Sequence, residues 1–168
     1  MKSINKIAMM LVLGAALFAS CRPEALKDLG AERDLLSSLQ GNWKLVKATQ
    51  VDEDAKVKGF PYQQLDITNL FPYTSFMFTL NTDGSSPTGF TATPGNSPKI
   101  IKLNSGTWTV DNLKYPKNLF FTNGTIQDTV SLGGYPVGAA TSLKLRKEKR
   151  DFTSGKLLIS YTYEFTKQ

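Results

Sequence analysis

The sequence predicts an all-β protein, an antiparallel up-and-down β-barrel of about eight strands preceded by a short helix. Two observations predict it. Apolar residues recur at every second position in several segments, which gives each strand one buried and one solvated side and hence an antiparallel sheet. Turn residues separate these segments at short intervals, with no alternation of strand and helix, so the sheet is expected to meander and close on itself without an exposed edge. The 168 residues, 40% hydrophobic and 20% charged, suffice for one domain and lie far from a disordered composition.

Residues 31–39, AERDLLSSL, place Leu35, Leu36 and Leu39 at helical spacing with Glu32 and Asp34 early, and Gly41 ends the helix. Strand candidates follow at residues 43–51, 74–81, 99–103, 106–111, 119–122, 125–132, 141–148 and 157–166. Within them Phe76, Phe78 and Leu80 share a face, as do Leu143 and Leu145. The last segment alternates most cleanly, with Leu157, Ile159, Tyr161, Tyr163 and Phe165 opposite Leu158, Ser160, Thr162, Glu164 and Thr166. Turn chemistry falls at Asp83-Gly84, Asn104-Ser105-Gly106, Asn123-Gly124 and Gly133-Gly134, and Asn123-Gly124 between two apolar runs signals a hairpin.

Ahead of the helix lies a different kind of segment. A basic start with Lys2 and Lys6, an apolar run over residues 7–19 and small residues thereafter form the three parts of an export signal. As a helix the run spans roughly 20 Å, short of the roughly 30 Å hydrocarbon core, so a leader is expected rather than a span. Leu17-Phe18-Ala19-Ser20-Cys21 resembles the lipobox of bacterial lipoproteins, which implies lipidation of Cys21, the only cysteine. The alternative is a plain secretory leader cleaved near Ser20 with an incidental cysteine. The organisation expected is a lipoprotein signal peptide over 1–20, a lipidated tether over 21–30 and the barrel domain over 31–168. The membrane is then a partner through lipid on Cys21, because two or three acyl chains anchor firmly where one binds marginally. With one cysteine, no intramolecular disulfide is available.

Gly41-x-Trp43 heads the first strand directly after the short helix and resembles the Gly-x-Trp of lipocalins. The stretches LQGNWKLVKATQ, DITNLFPYTSFMFTLNTDG and SGTWTVDNLKYPKNLFFTNG, in that order, are similar to the lipocalin-like domain-of-unknown-function lipoproteins of Bacteroidetes. The resemblance implies a lipocalin-like barrel anchored to the outer membrane in the cell envelope, on its periplasmic face or the cell surface, and it implies no established activity. No arginine on the last strand is evidently placed to cover Trp43, as one does in true lipocalins. Gly41 is expected to permit a close backbone approach, and Trp43 and Trp108 to be structural plugs rather than ligand contacts.

Phe60-Pro61-Tyr62 and Phe71-Pro72-Tyr73 repeat a tripeptide eleven residues apart in a long connection. They form either a lid over the barrel mouth, where a small apolar ligand or a sugar ring would stack, or a loop folded back to complete the core. Candidate ligand-binding residues are Phe60, Tyr62, Phe71, Tyr73, Tyr161 and Tyr163. Catalytic residues are not expected: with no histidine and the single cysteine lipidated, Ser-His and Cys-His systems and the common zinc sites are excluded. No cofactor or metal is expected either. The run Asp52-Glu53-Asp54 reads as a solvated strand end without the glycine of a calcium loop, and residues 144–151, KLRKEKRD, read as a charged hairpin tip. The formal net charge of +6 falls to +4 without the leader, which is no nucleic-acid signature. Asp128-Thr129-Val130 resembles an O-glycosylation acceptor of Bacteroidetes, with Thr129 on the polar side of its strand. Two non-enzymatic functions stay open: a tethered module binding a small apolar or saccharide ligand at the barrel mouth, or an interaction lipoprotein with a filled core that binds an envelope protein partner.

Overall fold

The structure is a computed structural model that describes residues 34–134 and 141–168. The leader, Cys21 and the tether lie outside the described residues. Helix α1 (Leu35–Leu39) begins at Asp34, whose carboxylate accepts from the backbone N–H groups of Leu36 and Ser37 at 3.1 Å each. Hydrogen bonds from the Ser37 hydroxyl and backbone hold this carboxyl below its usual range. Leu35, Leu36 and Leu39 are buried, so the short helix is held by packing more than by its own propensity.

Strand β1 (Gly41–Asp52) leads to helix α2 (Glu53–Val57), the short strand β2 (Gln64–Asp66) and a single 3₁₀ turn at Tyr73–Ser75. Then come β3 (Met77–Asp83), β4 (Ser86–Thr93), β5 (Ser105–Val110), β6 (Asn118–Asn123), β7 (Ile126–Leu132), β8 (Ser142–Arg150) and β9 (Leu157–Lys167). Every neighbouring pair is antiparallel, and β1 pairs with β9 to close a barrel of eight strands, as the periodicity predicts. Strand β2 stands outside that ring. It pairs with β1 at Thr49, Gln50 and Val51, beyond the stretch of β1 that pairs with β3.

Inward residues pack into a continuous core. Phe78 meets Phe165 edge to face at 4.9 Å between centroids, and Phe90 meets Phe121 at 4.8 Å, both favourable aromatic geometries. One end of the barrel is sealed by α1 and Trp43, whose indole N–H donates to the Leu39 carbonyl at 2.8 Å. At the other end two irregular segments insert, one carrying Ile67 and Tyr73 and the other Ile100 and Ile101, all buried.

The sequence expectations need four corrections. Residues 99–103 are not a strand: Ile100 and Ile101 are adjacent and both buried because an irregular loop enters the barrel mouth, where neither side meets water. Strand β4 was hidden because Pro87 and Gly89 read as turn residues and only Phe90 and Ala92 are buried. The acidic run is not a solvated strand end, since Asp52 caps α2 by accepting from Ala55 N–H at 2.9 Å and Glu53 is buried. Residues 144–150 lie within β8, and the hairpin tip is formed by the residues that follow, where Asp151 accepts from the backbone of Thr153 and Ser154.

Gly106 is the tightest glycine among the described residues. Its φ is +147°, and a Cβ there would run into the Thr122 carbonyl of β6. Gly106→Ala is therefore expected to lower stability by about 2 kcal/mol, the combined cost of an unfavourable φ and a pushed strand. Urea denaturation measures it, and Gly124→Ala, at φ +58° with open space at its Cβ, is the comparison that has a positive φ and no steric clash.

Candidate functional site

The barrel end opposite α1 gathers most of the chemistry. Tyr163 on β9 is buried, stacks on Tyr161 at 6.3 Å and lies 6.0 Å from Tyr73 on the inserted segment. Phe71 meets Tyr73 edge to face at 5.9 Å. Burial, together with the neighbouring Tyr73 and Tyr161, pushes the Tyr163 phenol well above its ordinary range, and burial raises Tyr73 too. Both are neutral hydroxyls at physiological pH. Among the described residues, the hydroxyls of Tyr73, Tyr161 and Tyr163 bond to no other protein group, and each reaches solvent.

Four of the six aromatic candidates, Phe71, Tyr73, Tyr161 and Tyr163, thus form a connected set. Phe60 and Tyr62 do not join it: both are exposed, and Phe60 is covered by Lys58 Nζ at 5.9 Å. Tyr73 folds into the core rather than arching over it, and Phe60, Tyr62, Leu65, Leu70 and Phe71 leave an apolar surface around the same end.

Beside the tyrosines, where Lys147 lies opposite Tyr161, is a polar clasp that the sequence reading missed. Asp128 faces inward from β7 and is 4% exposed. It accepts from Lys147 Nζ on β8 at 2.9 Å and from the backbone N–H of Lys102 at 2.8 Å. Strands β7 and β8 pair at only two positions, Ser131 with Arg146 and Leu132 with Leu145. One carboxylate therefore ties both strands, beyond the point where their ladder ends, to the loop that carries Ile100 and Ile101.

A second cluster sits on the outer face. Glu53 of α2 accepts from Ser160 Oγ at 2.6 Å and Arg146 Nη2 at 2.9 Å, so the helix is pinned across β8 and β9. Glu148 accepts from Arg150 Nη2 at 2.6 Å and lies 3.3 Å from Arg146 Nη2. Arg146 Nε is buried without a partner. On the helix, Asp54 is held at about 2 by hydrogen bonds from Lys156 and Lys58.

The signature residues form one unit at the sealed end. Trp43 is fully buried and Lys167 Nζ lies 5.4 Å from its ring centroid, so a cation from the last strand does cover the indole. Gly41, at φ +128°, has no Cβ because the Lys167 stem occupies that space on its way to Trp43. Trp108 is likewise buried, and its indole N–H donates to the Asn81 carbonyl at 2.7 Å. Thr129 is exposed on the outer face of β7, whereas the flanking Asp128 and Val130 point inward and are buried. Among the described residues there is no group of acidic side chains arranged to hold a metal ion, and no helix is long and apolar enough to cross a membrane.

These features define a small closed antiparallel β-barrel with a packed interior, sealed by a helix and tryptophan at one end and by inserted loops at the other. The chain belongs to the family described as a domain of unknown function, DUF5004, whose model matches residues 23–166. No curated protein matches the chain.

Proposed function

We propose that the protein is a lipocalin-like lipoprotein of the bacterial cell envelope, held on the outer membrane by lipid on Cys21, that binds a protein partner through its exposed aromatic end. The observation that supports this reading best is the filled interior. Inserted Ile67, Tyr73, Ile100 and Ile101 occupy the space a ligand would need, while Phe60, Tyr62, Leu65, Leu70 and Phe71 stay exposed beside them. The role is non-catalytic, in keeping with a sequence that contains no histidine. The three unpartnered tyrosine hydroxyls favour a second reading, a small saccharide or apolar ligand at the rim, held chiefly by Tyr161 and Tyr163. Thr129 is the proposed glycan acceptor. With Asp128 and Val130 buried, an enzyme that reads all three residues would act before the barrel closes.

A photo-reactive residue placed at Tyr62 in the native host is expected to yield one discrete protein adduct, and the same residue at the outward Thr109 of β5 none. Native mass spectrometry of the extracted protein is expected to show no small molecule. A co-purifying molecule lost in Tyr161→Phe, with no adduct from position 62, would overturn the partner reading in favour of the rim ligand.

A further inference from the structure

The seam between β7 and β8 carries a trough that involves none of the exposed aromatics and whose smaller cleft reaches the inward Asp128 and Lys147. Because these strands separate after two residue pairs, two adjoining clefts open over them, of about 440 and 330 Å³. They share Ser131, Arg146 and Glu148 and so form one continuous depression, with a volume in the range of small-molecule sites. Gly133 and Gly134 line the larger cleft without side chains, which leaves flat backbone on which a ring can lie.

The trough has a surplus of donors. Its carboxylates are already engaged: Asp128 with Lys147 and the Lys102 backbone, Glu148 with Arg146 and Arg150, and neighbouring Glu53 with Arg146 and Ser160. Its cations are only partly engaged. Lys117 lines one cleft and Lys102 the other; both are exposed, and neither ammonium has an ion pair among the described residues. Arg146 directs Nη2 to Glu53 and Glu148 and leaves Nη1 without an acceptor. The lining carries four basic side chains, Lys102, Lys117, Arg146 and Lys147, against two carboxylates, Asp128 and Glu148, and is net positive. Ser131 adds a hydroxyl.

We propose that this trough binds an acidic saccharide, a sugar ring carrying one carboxylate. A negative charge matches the net positive lining, and a planar carboxylate suits a guanidinium edge flanked by ammonium groups. Ring hydroxyls suit the mixed acceptors and donors of Glu148 and Ser131. A neutral sugar leaves the surplus charge unmet, and a bare carboxylate leaves the hydroxyl positions unused. The proposal is independent of the partner reading, since it involves none of the exposed aromatics.

The test is a titration of the full-length protein in detergent micelles, followed by amide chemical shifts, with glucuronate, glucose and acetate as separate probes. Glucuronate is expected to produce saturable shifts at Ser131, Gly133 and Arg146 below about 10 mM, and glucose and acetate none that saturate there. Lys102→Gln and Lys117→Gln are each expected to weaken glucuronate about two- to fivefold, the scale of an exposed charge, with unchanged thermal stability. Equal binding of glucose would overturn the charge argument, and equal binding of acetate the saccharide argument. Absence of saturable shifts with glucuronate, or affinity untouched by both substitutions, would overturn the site.

Discussion

Asp128→Ala is expected to lower the unfolding free energy by about 3 kcal/mol, more than any surface substitution in the protein. The alanine leaves Lys147, whose side chain is 22% exposed, without its counter-charge, and leaves the Lys102 N–H without its acceptor. Asp128→Asn keeps an oxygen for the Lys102 N–H and is expected to cost about half as much. Combining Asp128→Ala with Lys147→Met removes the stranded charge and is expected to recover much of the loss, because an apolar pair replaces an ionic one without an orphan. Urea denaturation of these variants together with Lys147→Met alone gives the coupling. A loss below about 1 kcal/mol in Asp128→Ala would mean that the ion pair does not hold the seam. Hydrogen exchange is expected to localise the damage to the segment around Ile100 and Ile101 and to β8, the elements that meet at this carboxylate.

Trp43→Ala is expected to cost about 4 kcal/mol, the scale of emptying a fully buried aromatic site. Three separate contacts disappear with the indole. The ring volume at the sealed end is lost, the N–H no longer holds the Leu39 carbonyl, and the Lys167 ammonium loses the π face beneath it. Trp43→Phe keeps most of the volume but not the N–H, so it is expected to cost about 2 kcal/mol and to release α1 selectively. The check is protection of the amides in α1 against exchange. Equal protection in Trp43→Phe and the parent would show that the leucines of α1, rather than the indole, hold the helix.

Most of the barrel was legible in the sequence because a half-buried strand writes its two faces as a two-residue alternation. Phe76, Phe78, Leu80, Leu143, Leu145, Tyr163 and Phe165 are all buried as their parity requires. What the alternation cannot write is a segment buried on all sides, and Ile100-Ile101 belongs to that class. Nor does it mark a strand such as β4, which contributes two inward residues between a proline, a glycine and several threonines. The clasp was nearer to being readable. Asp128 shares the parity of Val130, and Lys147 that of Leu143 and Leu145, so each is a charge where an apolar residue belongs. Two opposite charges out of place on strands adjacent in the meander are a signal for a buried ion pair. The Gly-x-Trp pair was legible as a plug, but its partner was not, because Lys167 resembles any other terminal lysine until β9 lies beside β1.

The pairing of β1 with β9 also sets an order of events. Nine residues of β1, from Trp43 to Asp52, find their partners between Ile159 and Lys167, near the other end of the described chain. Loops joining such distant segments close slowly, because chain entropy is lost before any contact is gained. The hairpins from β3 to β7 can form as soon as their own residues are present, whereas the long edge of β1 waits for the last strand. A chain that emerges from its N-terminus therefore passes through a state with that edge open, and the barrel becomes resistant to proteolysis only when β9 arrives.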